Sequence, residues 1–117
     1  MSSRGLSEQA FLVLTVLVEH PQHGYAVLRM VDELSDGRVQ LRVGTLYGVL
    51  DRLANDGLVE LDREEVHQGR LRRYYRATDK GVRVLGAETH RLAANVNAAT
   101  AVLGARGVQP KALGGLA

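Results

Sequence analysis

Cysteine and tryptophan are absent from this chain, and aromatic side chains make up only 4% of its 117 residues. Without a thiol, disulfides, thiolate zinc sites and cysteine nucleophiles are excluded. The longest apolar run, residues 10–18, contains Thr15 and is far shorter than the roughly 20 residues that a membrane span needs. The polar opening MSSRGLSEQ also lacks the basic and then apolar pattern of a secretion signal. We therefore expect a cytoplasmic protein with no membrane partner.

An excess of charge of one sign is lacking too, since the net charge is only +2. The distribution of charge is more informative, because residues 66–76 contain four arginines and no acidic residue. Such a local positive patch suits a nucleic-acid partner. Two glutamates directly upstream partly offset the positive charge of the patch. A run of like charge is also more often a solvated surface. Charge alone therefore leaves both readings open.

The length allows one domain with one modest core. After a loose arm over residues 1–5, Ser7 is expected to cap a first helix, which is apolar on more than one side and ends at Pro21. A second helix is predicted from about residue 24 to 34. Apolar Val39 and Leu41 alternate with polar neighbours, which predicts a short strand that closes a small sheet.

A third helix is predicted over residues 44–56, with a buried stripe of leucines and with Gly57 in the left-handed position that ends it. Two strands follow, at about residues 58–65 and 71–77, and a turn at Gln68-Gly69 joins them. On the second strand we expect one tyrosine in the core and the other against the third helix. Thr78 then caps the last helix.

A heptad pattern runs through this last helix, with apolar or small residues spaced alternately three and four apart. Its members are Val82, Leu85, Thr89, Leu92, Val96, Ala99 and Leu103. The stripe could be an internal core stripe packed on the first helix. Because three heptads exceed what a small domain can cover, we favour a dimer seam, to which the first helix adds Phe11 and Leu14.

Helix, ribbon and helix in this order are typical of the recognition half of a winged helix-turn-helix. The fold expected is mostly α with a small β-sheet: a winged helix-turn-helix with a long C-terminal dimerisation helix. The boundaries are a DNA-binding domain over residues 1–78, whose first helix also joins the dimer, a dimerisation helix over 79–104 and a flexible tail over 105–117.

Several short motifs, taken jointly, resemble the PadR family of bacterial transcriptional regulators. They are His23-Gly24-Tyr25, Gly44-Thr45-Leu46-Tyr47, Asp56-Gly57-Leu58 and Arg73-Tyr74-Tyr75-Arg76. The resemblance implies a winged-helix homodimer that binds a palindromic double-stranded DNA operator, usually as a repressor. One short helix after the wing resembles the small subgroup of the family, with a single C-terminal helix.

Two departures from the family pattern concern the third helix. Arg42-Val43 stand where the family commonly has a polar residue and proline, and Gly48 stands where it commonly has proline. Gly48 costs about 1 kcal/mol of helix stability relative to alanine. It also removes side-chain bulk on the groove-facing side, so that the backbone can approach DNA closely.

The residues expected at DNA lie on the exposed side of the third helix and in the ribbon: Arg42, Gly44, Thr45, Tyr47, Gly48, Arg52, Arg70, Arg72 and Arg73. Tyr47 is a phosphate contact by resemblance, although it could instead complete the core. The Thr45 hydroxyl is expected to cap an early N–H of the helix. Arg52 could reach phosphate or guanine, or simply pair with a neighbouring aspartate.

No nucleophile elbow, phosphate-binding glycine loop or pair of carboxylates is found, so we expect neither an enzyme nor a cofactor. His20 and His23 have a metal-like spacing, but no third ligand is nearby and no metal site is expected. A winged helix that serves as a protein-interaction module remains the alternative. Because the chain has no tryptophan to sandwich an aromatic drug, only a small apolar effector is foreseen, in a pore lined by Thr89, Leu92 and Val96.

Overall fold

The structure, a computed structural model, describes residues 5–113. The elements in this range are α1 (Glu8–Glu19), β1 (Gln22–His23), α2 (Gly24–Leu34), α3 (Val43–Asn55), β2 (Val59–His67), β3 (Arg70–Ala77) and α4 (Asp79–Ala105). The expected class, mostly α with a small sheet, is confirmed. Parts of the expected N-terminal arm and C-terminal tail lie outside the described residues. None of the helices between residues 5 and 113 is long and apolar enough to cross a membrane.

The chain divides into two compact units, residues 1–86 and residues 87–117. The core of the first unit is built by α1, α2 and α3. Leu14 and Leu17 of α1 meet the leucine stripe of α3, in which Leu46, Leu50 and Leu53 are at most 1% exposed. Each fully buried leucine contributes on the order of 1.5–3 kcal/mol. The periodicity of the sequence therefore identified the buried face of α3 correctly.

Side-chain caps start the first and last helices, as expected. The Ala10 N–H donates to Ser7 Oγ over 3.1 Å, and the Gly81 N–H donates to Thr78 Oγ over 3.0 Å. The Thr78 hydroxyl also donates to the Gly57 carbonyl over 2.7 Å, which ties the start of α4 to the end of α3. Gly57 itself has φ +76°, so the left-handed position expected there is confirmed.

The third strand of the sheet is not where the sequence predicted it. Residues 39–41 form a loop, and the strand that completes the order β1-β3-β2 is Gln22–His23, with His23 opposite Tyr74. The loop is shaped locally, since the Val39 N–H donates to Ser35 Oγ over 3.0 Å. Val39 is 8% exposed and Leu41 packs partly buried against the core. The apolar residues at alternate positions of the sequence, Val39 and Leu41, are therefore core contacts of a loop rather than one face of a strand.

Strands β2 and β3 form the antiparallel ribbon of the wing. Gln68 and Gly69 both have positive φ, +51° and +77°, which is the geometry of a tight two-residue hairpin turn. The register shifts once, because Leu61 faces Tyr75 and Arg63 faces Tyr74, which leaves Asp62 as the extra residue of a bulge. The ribbon is longer than predicted and places its turn well beyond the core.

Gly81 permits the start of α4 to lie against the backbone of Leu58, the residue before β2. A Cβ added there would collide with the Leu58 carbonyl oxygen and would touch Leu14 Cδ1 at 3.4 Å. We expect Gly81→Ala to destabilise the protein by about 1–3 kcal/mol, since backbone must move to admit the methyl group. Urea unfolding followed by circular dichroism measures this.

The matched control is Gly86→Ala in the same helix, because a Cβ at Gly86 meets nothing within 4 Å. Alanine is the better helix former, so this variant should gain about 0.5–1 kcal/mol. Equal stability of the two variants would contradict the close packing at Gly81.

Candidate nucleic-acid interface

One side of α3 is left open by the core. Gly44, Gly48 and Arg52 follow one another at intervals of four residues and are all exposed, and we call them the groove strip. A Cβ added at Gly44 or at Gly48 would meet nothing within 4 Å. Within residues 5–113, Arg52 forms no ion pair, so the expected alternative of a pair with a neighbouring aspartate is not realised. The strip is therefore flat, polar and accessible.

Both helices of the helix-turn-helix begin without a side-chain cap. Arg42 precedes α3 and His23 precedes α2, and neither side chain accepts a capping bond. The cap expected from Thr45 is not formed, because α3 starts at Val43 and places the threonine inside the first turn. Early N–H groups of both helices are thus available to an acceptor from outside, a common way to bind phosphate.

Tyr47 is neither a core residue nor a freely projecting one. It is 41% exposed, and its ring lies across the start of α2. A Cβ added at Gly24 would stand 2.7 Å from Tyr47 Oη and 3.3 Å from Tyr47 Cζ. Gly24 therefore makes room for the tyrosine, a role that sequence reasoning missed although His23-Gly24-Tyr25 stood out as a motif.

Ion pairs across the ribbon neutralise half of the arginine patch. Arg73 Nε lies 3.0 Å from a Glu64 carboxylate oxygen, and Arg76 pairs with Glu60 at 2.8 Å and with Asp62 at 3.4 Å. These pairs are exposed, so each contributes at most about 1 kcal/mol. Arg73, which we expected at the interface, is occupied by this partner.

The remaining two arginines, Arg70 and Arg72, are next to the turn, and we call them the tip arginines. Neither forms an ion pair with any residue between 5 and 113. The positive charge that the ribbon can offer to a partner is therefore concentrated at its tip rather than spread along its length.

The two tyrosines of β3 take different roles. Tyr75 packs partly buried against the core, as expected of one of them. Tyr74 does not lie against α3 but meets the His23 ring edge-on, with ring centroids 5.3 Å apart. The Arg63 guanidinium covers the Tyr74 ring at 3.9 Å from its centroid, a cation–π contact. Tyr74 thus joins the wing to the start of α2.

A polar cavity of about 380 Å³ lies between the start of α2, Tyr47 and the wing tip, and we call it the wing cavity. Its lining includes His23, Gly24, Tyr47, His67, Arg70 and Arg72. The pKa of His23 lies below its ordinary value because of partial burial and then because of the positive charges of Arg72, Arg29 and His67. Sequence reasoning missed both histidines of this cavity.

The residues expected at a dimer seam differ in accessibility. Leu14 is fully buried in the core of the chain itself, which corrects the expectation that it contacts a partner. Leu85 also packs against this core, whereas Val82 is 48% exposed. Phe11 of α1 remains partly exposed.

In the second unit, residues 89–102 of α4 are all exposed, among them Thr89, Leu92, Val96 and Ala99, and Leu103 is partly so. The apolar members of the heptad are therefore accessible along this helix. The effector pore expected at Thr89, Leu92 and Val96 stays a prediction.

Known proteins resemble this chain in sequence or in fold. The chain is 29% identical over 70 residues to an uncharacterized protein of Lysinibacillus sphaericus and spans 64% of the length of that relative. A PadR family transcriptional regulator of Eggerthella lenta is 35% identical, with 75% of this chain and 77% of that one covered and a TM-score of 0.59. The PadR protein of Bacillus subtilis, solved in complex with operator DNA, is 19% identical at a TM-score of 0.60, covering 67% of this chain and 45% of that one.

The family model is more decisive, since the model of the transcriptional regulator PadR-like family matches residues 13–87, well over half of the chain. The match includes α2, α3 and the whole ribbon. The members are transcriptional regulators, which confirms the expectation that the protein is not an enzyme. The chain belongs to the PadR-like family of transcriptional regulators.

Proposed function

We propose that this protein is a homodimeric repressor, which recognises a palindromic operator with α3 and grips the flanking backbone with the tip arginines. The observation that carries the proposal is the groove strip. Two glycines with open space around them lie on one helical face with an arginine that has no ion-pair partner among residues 5–113. This face allows a close approach to base edges and phosphates. A protein-interaction module has no need of such a face beside unpaired basic residues.

Homodimerisation is supported by α4. A helix that exposes Leu92 and Val96, 38% and 61% exposed, leaves an apolar stripe in water. In proteins most of the stability of a helix comes from the packing of its apolar face against a neighbour. A second copy of the same helix offers a matching stripe, and two-fold symmetry is the commonest arrangement of such dimers.

Repression follows when such a dimer covers a promoter, because two recognition helices in successive major grooves exclude polymerase from that stretch of duplex. The protein then acts on chromosomal DNA, and we place it in the cytoplasm. Phe11, with Val82, Thr89, Ala99 and Leu103, completes the interface that we propose.

Footprinting for a palindromic site tests this proposal directly. We expect footprinting on the promoter of its own gene to protect two symmetrical half-sites about 34 Å apart, the spacing of successive major grooves. A single unsymmetrical half-site, or equal affinity for random duplex, would contradict sequence-specific recognition by a dimer. Binding to no duplex at all would favour the protein-interaction module.

The tip arginines should contribute affinity without specificity. Arg70→Ala combined with Arg72→Ala should weaken binding to all duplexes alike, since phosphate contacts do not read sequence. Each lost phosphate contact should flatten the slope of log K against log salt by about 0.9. Fluorescence anisotropy at several salt concentrations measures that slope.

Arg76→Gln is the matched control in the same strand, because Glu60 and Asp62 already engage that guanidinium. Its salt slope should equal that of the unmodified protein. If the double variant also keeps the original slope, the wing does not touch the DNA backbone.

The seam on α4 should hold the dimer together. In Leu92→Asp, each protomer would bury a charge against its symmetry mate, at a cost of several kcal/mol. We expect a monomer by light scattering that remains helical by circular dichroism. It should lose operator affinity, because a single half-site lacks the avidity of the pair.

The control for this variant is Ala94→Asp, two residues further on and therefore on the opposite face of the helix. It should stay dimeric with full affinity. A dimeric Leu92→Asp with unchanged affinity would show that the heptad stripe does not form the dimer interface.

A further inference from the structure

The wing cavity combines cationic and hydrogen-bonding groups from three parts of the chain that are far apart in sequence. His23 is the last residue of β1 and Gly24 the first of α2, Tyr47 comes from α3, and His67 with the tip arginines comes from the ribbon. No acidic side chain is among the residues that line it. With a volume of about 380 Å³, it has room for a phosphodiester group and bridging water. Its chemistry selects an anion.

Hydrogen-bond donors surround the inner end of the cavity. The 11-residue α2 begins there with no side-chain cap, so its first N–H groups have no acceptor from the His23 side chain. Tyr47 Oη lies over Gly24 at this same end. Tyrosine hydroxyls, arginines and helix N-termini are the groups that proteins use to hold nucleic-acid phosphates.

The charged groups that act on His23 are positive. Arg29 from α2, Arg72 from β3 and His67 from β2 all hold the pKa of His23 down, together with its partial burial. Tyr74 covers one edge of the ring.

The carboxylate of the ribbon that stands opposite Arg72 belongs to Glu65. Glu65 is paired with Arg72 in the strand register, and it also lies close enough to His67 to interact electrostatically. Arg63 Nε holds this carboxylate at 2.7 Å, and that bond keeps the pKa of Glu65 below its usual value. Because Glu65 is engaged by Arg63, it leaves most of the positive charge around His23 uncompensated.

We propose that the wing cavity is a phosphate site, and that His23 takes up a proton when the site is filled. The natural occupant rests on the function proposed above: it is a backbone phosphate of the operator, held between the wing and the recognition helix. Free inorganic phosphate has the same chemistry and is the second source of such an anion.

The direction of the proton linkage follows from the charges. A phosphate in the cavity offsets the field of Arg72 and Arg29, so the cationic form of His23 becomes easier to form in the complex than in the free protein. The complex then binds more protons than its separated partners, and affinity must rise as pH falls. One proton taken up corresponds to a gain of up to about tenfold for each pH unit between the free and bound pKa values.

The experiment measures operator affinity by fluorescence anisotropy at pH 6, 7 and 8, at constant ionic strength and in a buffer without phosphate. The unmodified protein should bind more tightly at each lower pH, by up to about tenfold per unit. His23→Gln should lose most of that pH dependence. His90→Gln, which removes an exposed imidazole from α4, is the matched control and should retain it. The same pH dependence in His23→Gln and in the unmodified protein would overturn the proposal.

Nuclear magnetic resonance of the His23 ring separates the two sources of phosphate. A rise in the pKa of His23 with operator duplex alone would identify the DNA backbone as the occupant, and a rise with inorganic phosphate as well would identify a general phosphate site. No rise with either would overturn the proposal. If no duplex binds at any pH, the function proposed above fails, and the phosphate titration still decides the cavity.

A second variant keeps the test valid if His23→Gln does not fold. Arg72→Gln removes one of the charges that hold the pKa of His23 down, so that pKa should rise in the free protein. The same variant should weaken phosphate and operator binding. If Arg72→Gln changes neither the titration of His23 nor the affinity for phosphate and operator, the wing cavity is not the proposed phosphate site.

Discussion

The burial of one leucine face of α3 is the constraint on which the remainder of the interface depends. Leu46, Leu50 and Leu53 are essentially inaccessible in the core, so the helix cannot turn about its axis without exposing them. Successive residues are about 100° apart on a helix, and a rotation by one position would bring polar residues into the core. The groove strip faces outward because the leucines face inward. Burial of the leucines thereby determines which face of α3 is open to a partner.

The register of the ribbon determines where its charge is available. Glu60 stands opposite Arg76 and Glu64 opposite Arg73, so ion pairs form along the strands and leave the tip arginines unpaired within the described part of the ribbon. Cross-strand neighbours are fixed by the turn and by the bulge at Asp62 rather than by the sequence of either strand alone. The four arginines of residues 70–76 are therefore divided into two that are neutralised along the strands and two at the tip that stay available. This arrangement suits a wing that contacts a phosphate backbone at one end.

The sequence predicted the elements whose signals are local and periodic, and it missed those that depend on tertiary contacts. The helices, the turn at Gln68-Gly69 and the caps at Ser7 and Thr78 all carry such local signals. A two-residue strand such as β1 has no periodicity to detect, and it exists only because β3 pairs with it.

The same distinction between local signals and tertiary contacts applies to the candidate site. The groove strip could be inferred because it is the complement of a leucine stripe on one helix. The wing cavity could not, since its lining comes from three separate parts of the chain. Leu14 was assigned to a seam because one apolar stripe does not reveal whether the protomer or its partner covers it.

The distribution of helix caps connects stability to binding. The helices outside the helix-turn-helix, α1 and α4, have side-chain caps, while α2 and α3 begin without one. A missing cap typically costs about 1 kcal/mol, so α2 and α3 are less stable than they would be with side-chain caps. Acceptors from a bound phosphate would satisfy the same N–H groups, and a ligand that binds only the folded state stabilises it by mass action. In the proposed complex, DNA phosphates thus supply the hydrogen-bond acceptors that no side chain provides at the starts of α2 and α3. Operator occupancy and the stability of the helix-turn-helix therefore rise together.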